Sequence, residues 1–306
     1  MILSVSRRTD IPNYYFDWFL NRIKVGWVYV RNPINPRQVS KINLSPDVVD
    51  CIVFWSKNPS NAIDKLDYLL DYKFYFQFTL TCYERDVEPN LPDKNEELIP
   101  TFIRLSEKIG KEKVIWRYDP ILLNNKYTID YHINAFEQMS ARLANYTSKV
   151  IVSFIDLYAK TKRNTKELKL QELTDEKKYY LIQKLKQIAE KYNLTIQTCA
   201  ENPDFQKIGI SAGSCIDREY IEKLIGNKLS GSRDKSQREG CMCFESIDIG
   251  SYDTCLNGCK YCYANYNMER VQQKNRLYND NSYMLCEKPK NTDKITERKV
   301  YSLKIV

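Results

Sequence analysis

Val49–Pro59 reads VDCIVFWSKNP, a run of β-branched and aromatic residues that is apolar from Cys51 to Trp55 and then stops in Ser56, Lys57, Asn58 and Pro59. A strand with one wet face alternates apolar and polar side chains, whereas consecutive apolar residues belong to a strand covered on both faces. The same shape recurs in ILSVSRRTD (2–10), FYFQFTLT (74–81), KVIWRYDP (113–120), KVIVSFIDLY (149–158) and LTIQTCAE (194–201). Segments with helical periodicity lie between these runs. One stops at Gly110, one follows Thr128, and one starts at Thr174, an expected N-cap with Asp175 and Glu176 in the first turn. Strand followed by helix or loop, repeated, predicts a parallel α/β sheet. The expected form is an open (β/α)6 partial TIM-type barrel over residues 1–232.

In parallel α/β folds ligands lie beyond the carboxyl ends of the strands, so polar residues there carry functional weight. The ends hold Arg7, Lys57, Arg117, Asp119, Asp156 and Glu201, which are the candidate catalytic residues. Any one of them alone reads as a helix cap or a loop ion pair. All six ends being polar together points to a site.

The chain has 306 residues, a formal charge of +8, ten cysteines and a single histidine. One histidine excludes a two-histidine or three-histidine zinc centre. His132, on the helix after Thr128, is expected to be a solvated surface residue. No stretch approaches the roughly 18 apolar residues of a membrane span, and the start lacks a basic segment followed by an apolar run. A soluble cytoplasmic protein with no membrane partner is therefore expected. Residues 288–306 hold six Lys or Arg against two Asp or Glu. Such a basic tail reads as a solvated terminus or as an arm for nucleic acid.

Six of the ten cysteines fall between Cys241 and Cys286, after a polar segment, NKLSGSRDKSQREG (227–240), of linker character. The expected division is therefore a barrel over 1–232, a cysteine-rich segment over 233–286 and the tail over 287–306. Within TCLNGCKYCYAN (254–265), Cys255, Cys259 and Cys262 stand at C-x3-C-x2-C spacing with Tyr261 before the last. Thiols this dense in a reducing compartment hold metal more often than they form disulfides. Three thiolates hold three irons of a cubane and leave the fourth open, while paired C-x2-C units are the commoner zinc pattern.

The motif resembles that of the radical S-adenosylmethionine (radical SAM) superfamily, and its C-x-Y-C-Y form resembles spore photoproduct lyase and related proteins. Together SVSRRTDIP, VFWSKNP, WRYDPI, CAE and ESIDIG resemble an uncharacterised family, a domain of unknown function with a C-terminal cysteine cluster of this type. The resemblance implies a 4Fe-4S cluster on Cys255, Cys259 and Cys262 and S-adenosylmethionine on the open iron. It also implies a 5′-deoxyadenosyl radical and an electron donor of the flavodoxin or ferredoxin type. Two departures stand out: the motif follows the last expected strand instead of the first, and no Gly-Gly-Glu motif follows the second.

Cys199, Cys215, Cys241 and Cys243 could form a second site for an iron-sulfur cluster or zinc. Cys199 or Tyr118, at strand ends, could donate hydrogen to a substrate radical. Cys51, in an apolar run, reads as a buried small hydrophobe. The substrate expected is a nucleic acid or a small molecule bearing phosphate or carboxylate. The alternative is a nucleic-acid-binding protein without catalysis, in which the cysteines form a structural zinc or iron-sulfur module.

Overall fold

The structure is a computed structural model that describes residues 1–201, 205–235, 237 and 240–305. Its strands are β1 (Ile2–Val5), β2 (Trp27–Arg31), β3 (Gln38–Asn43), β4 (Cys51–Ser56), β5 (Phe74–Thr79) and β6 (Val114–Ile121). They continue with β7 (Lys149–Phe154), β8 (Thr195–Cys199), β9 (Ala212–Gly213), β10 (Ile247–Asp248) and β11 (Lys294–Glu297). The six apolar runs become β1, β4, β5, β6, β7 and β8, and all pair in parallel. The sheet is larger than expected, with eight strands in the order β10-β1-β4-β5-β6-β7-β8-β9. Both added strands are two-residue edges that carry too little sequence to show a pattern. Among the described residues the two edges do not pair with each other, so no barrel closes.

Successive side chains of a strand point to opposite faces, and each face of this sheet has its own core. Leu3, Val5, Phe54, Phe76, Phe78, Trp116 and Val152 pack with the helices Phe16–Val25, Ile99–Ile109, Ile129–Leu143 and Asp175–Lys191. Ile2, Cys51, Val53, Tyr75, Ile115 and Ile151 face the other way, against Ile216, Ile221, Phe244 and Leu303. Cys51 is fully buried there, as expected of a small hydrophobe. Burial on both faces is the reason the strands read as continuous apolar runs. Further along the same strands, at matching parity, come Trp55, Gln77, Arg117 and Ser153. The second face therefore changes from apolar to polar toward the carboxyl ends.

The helix stops follow local chemistry. Gly110 ends Ile99–Ile109 with φ +92°, a region few other residues enter. Thr174 caps Asp175–Lys191, its hydroxyl accepting the Lys177 N–H at 3.4 Å. No described helix is long and apolar enough to cross a membrane.

Two expectations are corrected. The basic tail is mostly exposed but is more than a solvated terminus: β11 pairs in parallel with β3, which pairs antiparallel with β2, forming a second sheet of three strands. The Met1 ammonium donates to the Tyr301 carbonyl at 2.7 Å and to Asp50 at 2.6 Å, and Leu303 N–H donates to Asp50 at 2.7 Å. Backbone pairing docks the tail while its lysines stay in water. The 227–240 segment also pairs, through Leu229 with Lys304 and Arg233 with Phe244, although residues 236, 238 and 239 lie outside the described residues.

His132 is the second correction, for it is fully buried. It shares a helix face with Phe136, Met139 and Leu143, so helical spacing itself carries it inward. Its Nδ1 accepts the Tyr118 hydroxyl at 2.8 Å, and its Nε2–H donates to the Leu122 carbonyl at 2.9 Å. With both nitrogens satisfied, burial lowers its pKa from 6.5 to about 4. Because the unfolded chain takes up this proton first, stability falls as pH drops from about 6.5 toward 4. The expected loss is about 2 kcal/mol between pH 7 and 5. Denaturant unfolding at both pH values checks this. His132→Gln should lower stability at pH 7 and flatten the pH slope by about that amount, and an unchanged slope would contradict it.

Candidate functional site at the carboxyl ends of the strands

The loop carrying Cys255, Cys259 and Cys262 has no helix or strand of its own and is shaped by turns. Thr254 Oγ1 donates to Ser251 O at 2.8 Å, Cys262 N–H to Cys259 O at 3.0 Å and Asn265 Nδ2 to Cys255 O at 2.7 Å. Gly258, at φ +69°, lies so close to Asn90 that an added Cβ would stand 2.8 Å from its Nδ2. That contact and the left-handed backbone both favour glycine. Asn90 in turn donates to the Leu256 carbonyl at 2.8 Å.

Long-range hydrogen bonds seat this loop over the carboxyl ends of β1 and β4. Asp10, beyond β1, is buried and accepts from Ser56 Oγ at 2.7 Å, Lys57 N–H at 2.8 Å and Asn257 Nδ2 at 3.0 Å. Tyr14 donates to Asn257 Oδ1 at 2.8 Å, Tyr15 to Thr254 O at 2.5 Å and Tyr263 to Arg7 O at 2.8 Å. Glu88, beyond β5, holds the centre. Its carboxylate accepts from Lys57 Nζ at 2.8 Å, Lys94 Nζ at 2.7 Å, Thr81 Oγ1 at 2.8 Å and the Tyr261 hydroxyl. Lys57 Nζ also stands 5.3 Å from the centre of the Tyr261 ring.

Burial raises the pKa of all three thiols, Cys259 to about 12, while the Lys57 ammonium opposes the rise at Cys259 and Cys262. Without a metal they are therefore thiols. The nearby cation favours thiolates once something soft replaces their protons.

The other candidates divide. Arg117, at the polar end of the second face, reaches Cys215 Sγ at 2.8 Å and pairs with Asp119, which also accepts from Ser153. The Trp55 ring centre lies 5.9 Å from the Arg7 guanidinium and 5.3 Å from that of Arg117. Glu201 accepts the Phe154 N–H at 2.7 Å, and burial pushes its pKa up to about 7, poised for proton exchange near neutrality. Asp156 is exposed in the loop after β7. Tyr118 is not available as a hydrogen donor here, because its parity places it on the helix-covered face, bonded to His132. Cys199 lies 2.9 Å from Cys215, sulfur to sulfur, and Cys241 and Cys243 are buried in the same cluster. Among the described residues no three His, Cys, Asp or Glu side chains stand ready to hold a metal ion as they are.

Glu88 and Asn257 escaped the sequence reading. Glu88 sits in a loop with no motif around it, and its bond to Tyr261 spans 173 positions. Asn257 lies inside the cysteine motif at a position the spacing leaves free. A carboxylate six positions before Lys94 was the only available signal, and such pairs are common on protein surfaces.

No curated protein matches the chain. Residues 2–264 match the family described as "Domain of unknown function (DUF1848)", a span that covers the strands from β1 to β10 and all three motif cysteines. The chain thus belongs to the DUF1848 family.

Proposed function

We propose that the protein is a radical SAM-type enzyme whose cluster is held by Cys255, Cys259 and Cys262, on a sheet that acts as an open partial (β/α) barrel. The observation that carries this is the seating of a three-thiol loop over the carboxyl ends of parallel strands, beside a buried lysine. The donor set fits the group, since three soft thiolates at close spacing suit a cluster with one open iron. Asn265 Oδ1, buried in the same loop without a hydrogen-bond partner among the described residues, is an acceptor left over for a ligand N–H.

With S-adenosylmethionine, such a cluster supplies one-electron chemistry that ends in removal of a hydrogen atom from the substrate. Lys57 offsets the negative charge of the thiolates, and Glu88 fixes Lys57 and Tyr261 against the loop. Arg7, beside the Trp55 ring, suits an anionic substrate. A cleft of about 700 Å3 beside Arg7 has seven cationic side chains in its walls against three carboxylates, which favours phosphate or carboxylate groups. Its walls include none of the three cysteines. Glu201 can hold or release a proton at neutral pH. Electrons would come from a flavodoxin- or ferredoxin-type protein.

Anaerobically prepared protein given dithionite and S-adenosylmethionine should be brown and release 5′-deoxyadenosine, slowly if no substrate is present. Colourless protein holding zinc on the motif, with no deoxyadenosine, would replace the enzyme by a structural metal protein that binds nucleic acid.

A further inference from the structure

Four more thiols meet away from that loop. Cys199 ends β8, Cys215 follows β9, and Cys241 and Cys243 precede β10, so three separate stretches of chain deliver them. Their residues are 6, 6, 5 and 2 % exposed. Buried cysteines usually pack as small hydrophobes against carbon. Here sulfur meets sulfur: Cys199 lies 2.9 Å from Cys215, and Cys241 and Cys243 are buried in the same cluster. The Arg117 guanidinium, itself 5 % exposed, points a nitrogen at Cys215 Sγ from 2.8 Å, held from behind by Asp119.

We propose that Cys199, Cys215, Cys241 and Cys243 bind one zinc ion as a closed tetrathiolate, with Arg117 as its counter-cation. Four sulfur ligands and no open position make a structural centre. Zinc with four thiolates carries two negative charges, and a buried anion needs positive charge against it, part of which Arg117 provides while shared with Asp119.

Compactness selects a single ion over a second cubane. Bonds of about 2.3 Å put tetrahedral sulfurs about 3.8 Å apart, whereas a cubane spreads its ligands over separate corners. Cys199 and Cys215 stand closer than that, with their sulfurs 2.9 Å apart. Binding therefore releases the protons the thiols still carry to solvent and moves these two sulfurs apart by about 1 Å. No bond is oxidised or reduced.

The site has a structural task. The second face of the sheet is covered by the helix Arg218–Ile225 together with Ile216, Phe244 and Leu303. Cys215 is tied to the sheet through its carbonyl, which accepts from Tyr75 Oη at 3.0 Å and Gln77 Nε2 at 2.7 Å. A zinc ion would lock this cover to β8 and leave the polar mouth beside Arg117 in a fixed shape.

The full chain, produced with zinc and iron both supplied, should carry about one zinc per chain, released by a thiol-blocking mercurial. Cys215→Ser and Cys243→Ser should each lower zinc at least about tenfold, while Cys255→Ala keeps it. Cobalt substitution of wild-type protein should show intense thiolate-to-cobalt absorption with tetrahedral d–d bands, a readout that stands even where a serine variant fails to fold. Wild-type protein with neither zinc nor the cobalt signature would overturn the proposal. So would Cys215→Ser or Cys243→Ser protein that loses iron instead of zinc. Loss of iron in Cys255→Ala alone tests the radical SAM proposal separately.

Discussion

Cys259→Ala protein, reconstituted anaerobically, is expected to lose the motif's iron-sulfur cluster, with iron there falling from about four atoms per chain to less than one. Three thiolates are the minimum that holds three irons of a cubane. Removing one leaves a second iron without a protein ligand in a loop that has no spare thiol within the motif. Deoxyadenosine formation should fall below detection with it. Iron and sulfide analysis together with electron paramagnetic resonance of the reduced protein check the result. Cys51→Ala is the control, since Cys51 packs among Ile2, Val53 and Tyr75 on the second face of the sheet. It should keep its iron and lose about 1 kcal/mol of stability. Full cluster occupancy in Cys259→Ala would remove the assignment.

Glu88→Gln is expected to cost about 3–5 kcal/mol at pH 7, because it leaves Lys57 and Lys94 as buried cations without their anion. The Glu88 side chain is 1 % exposed, and the two lysines are 12 and 19 % exposed. Burial alone would raise the carboxyl pKa. The two ammonium groups overcome it and hold the value at about 2, against 4.5 unperturbed. Since the folded pKa is depressed, this stabilisation is present above about pH 4.5 and lost as pH falls toward 2. Wild-type protein should therefore lose about 2 kcal/mol from Glu88 by pH 3, and the gap to Glu88→Gln should narrow by that amount. Guanidinium unfolding of both proteins at pH 7 and pH 3 measures this. A gap that is the same at both pH values would mean that Glu88 is not the titrating anchor.

These two tests address features of different legibility. The cysteine motif is a matter of spacing over eight positions, and a cluster's demand for thiolates acts at that range. The main strands were equally plain, because a parallel strand buried on both faces must be apolar at consecutive positions. Local rules also placed the Gly110 stop and the Thr174 cap. Helical periodicity contained the burial of His132 as well, but its polarity suggested water. The folded chain satisfies both ring nitrogens inside the core, with Tyr118 and the Leu122 carbonyl.

Local sequence, then, determined the parallel α/β sheet, the polar ends of its strands and the presence of two groups of thiols. Tertiary structure alone decided how these meet. It placed Asn257 on Asp10, 247 positions away, and Tyr261 on Glu88, and it paired the tail with β3. It also showed that Lys57 belongs with one group of thiols and Arg117 with the other. The physical reason is range: spacing, caps and periodicity act within a few turns of chain. A hydrogen bond to a buried carboxylate or a contact between sulfurs depends only on where the completed sheet brings distant segments together.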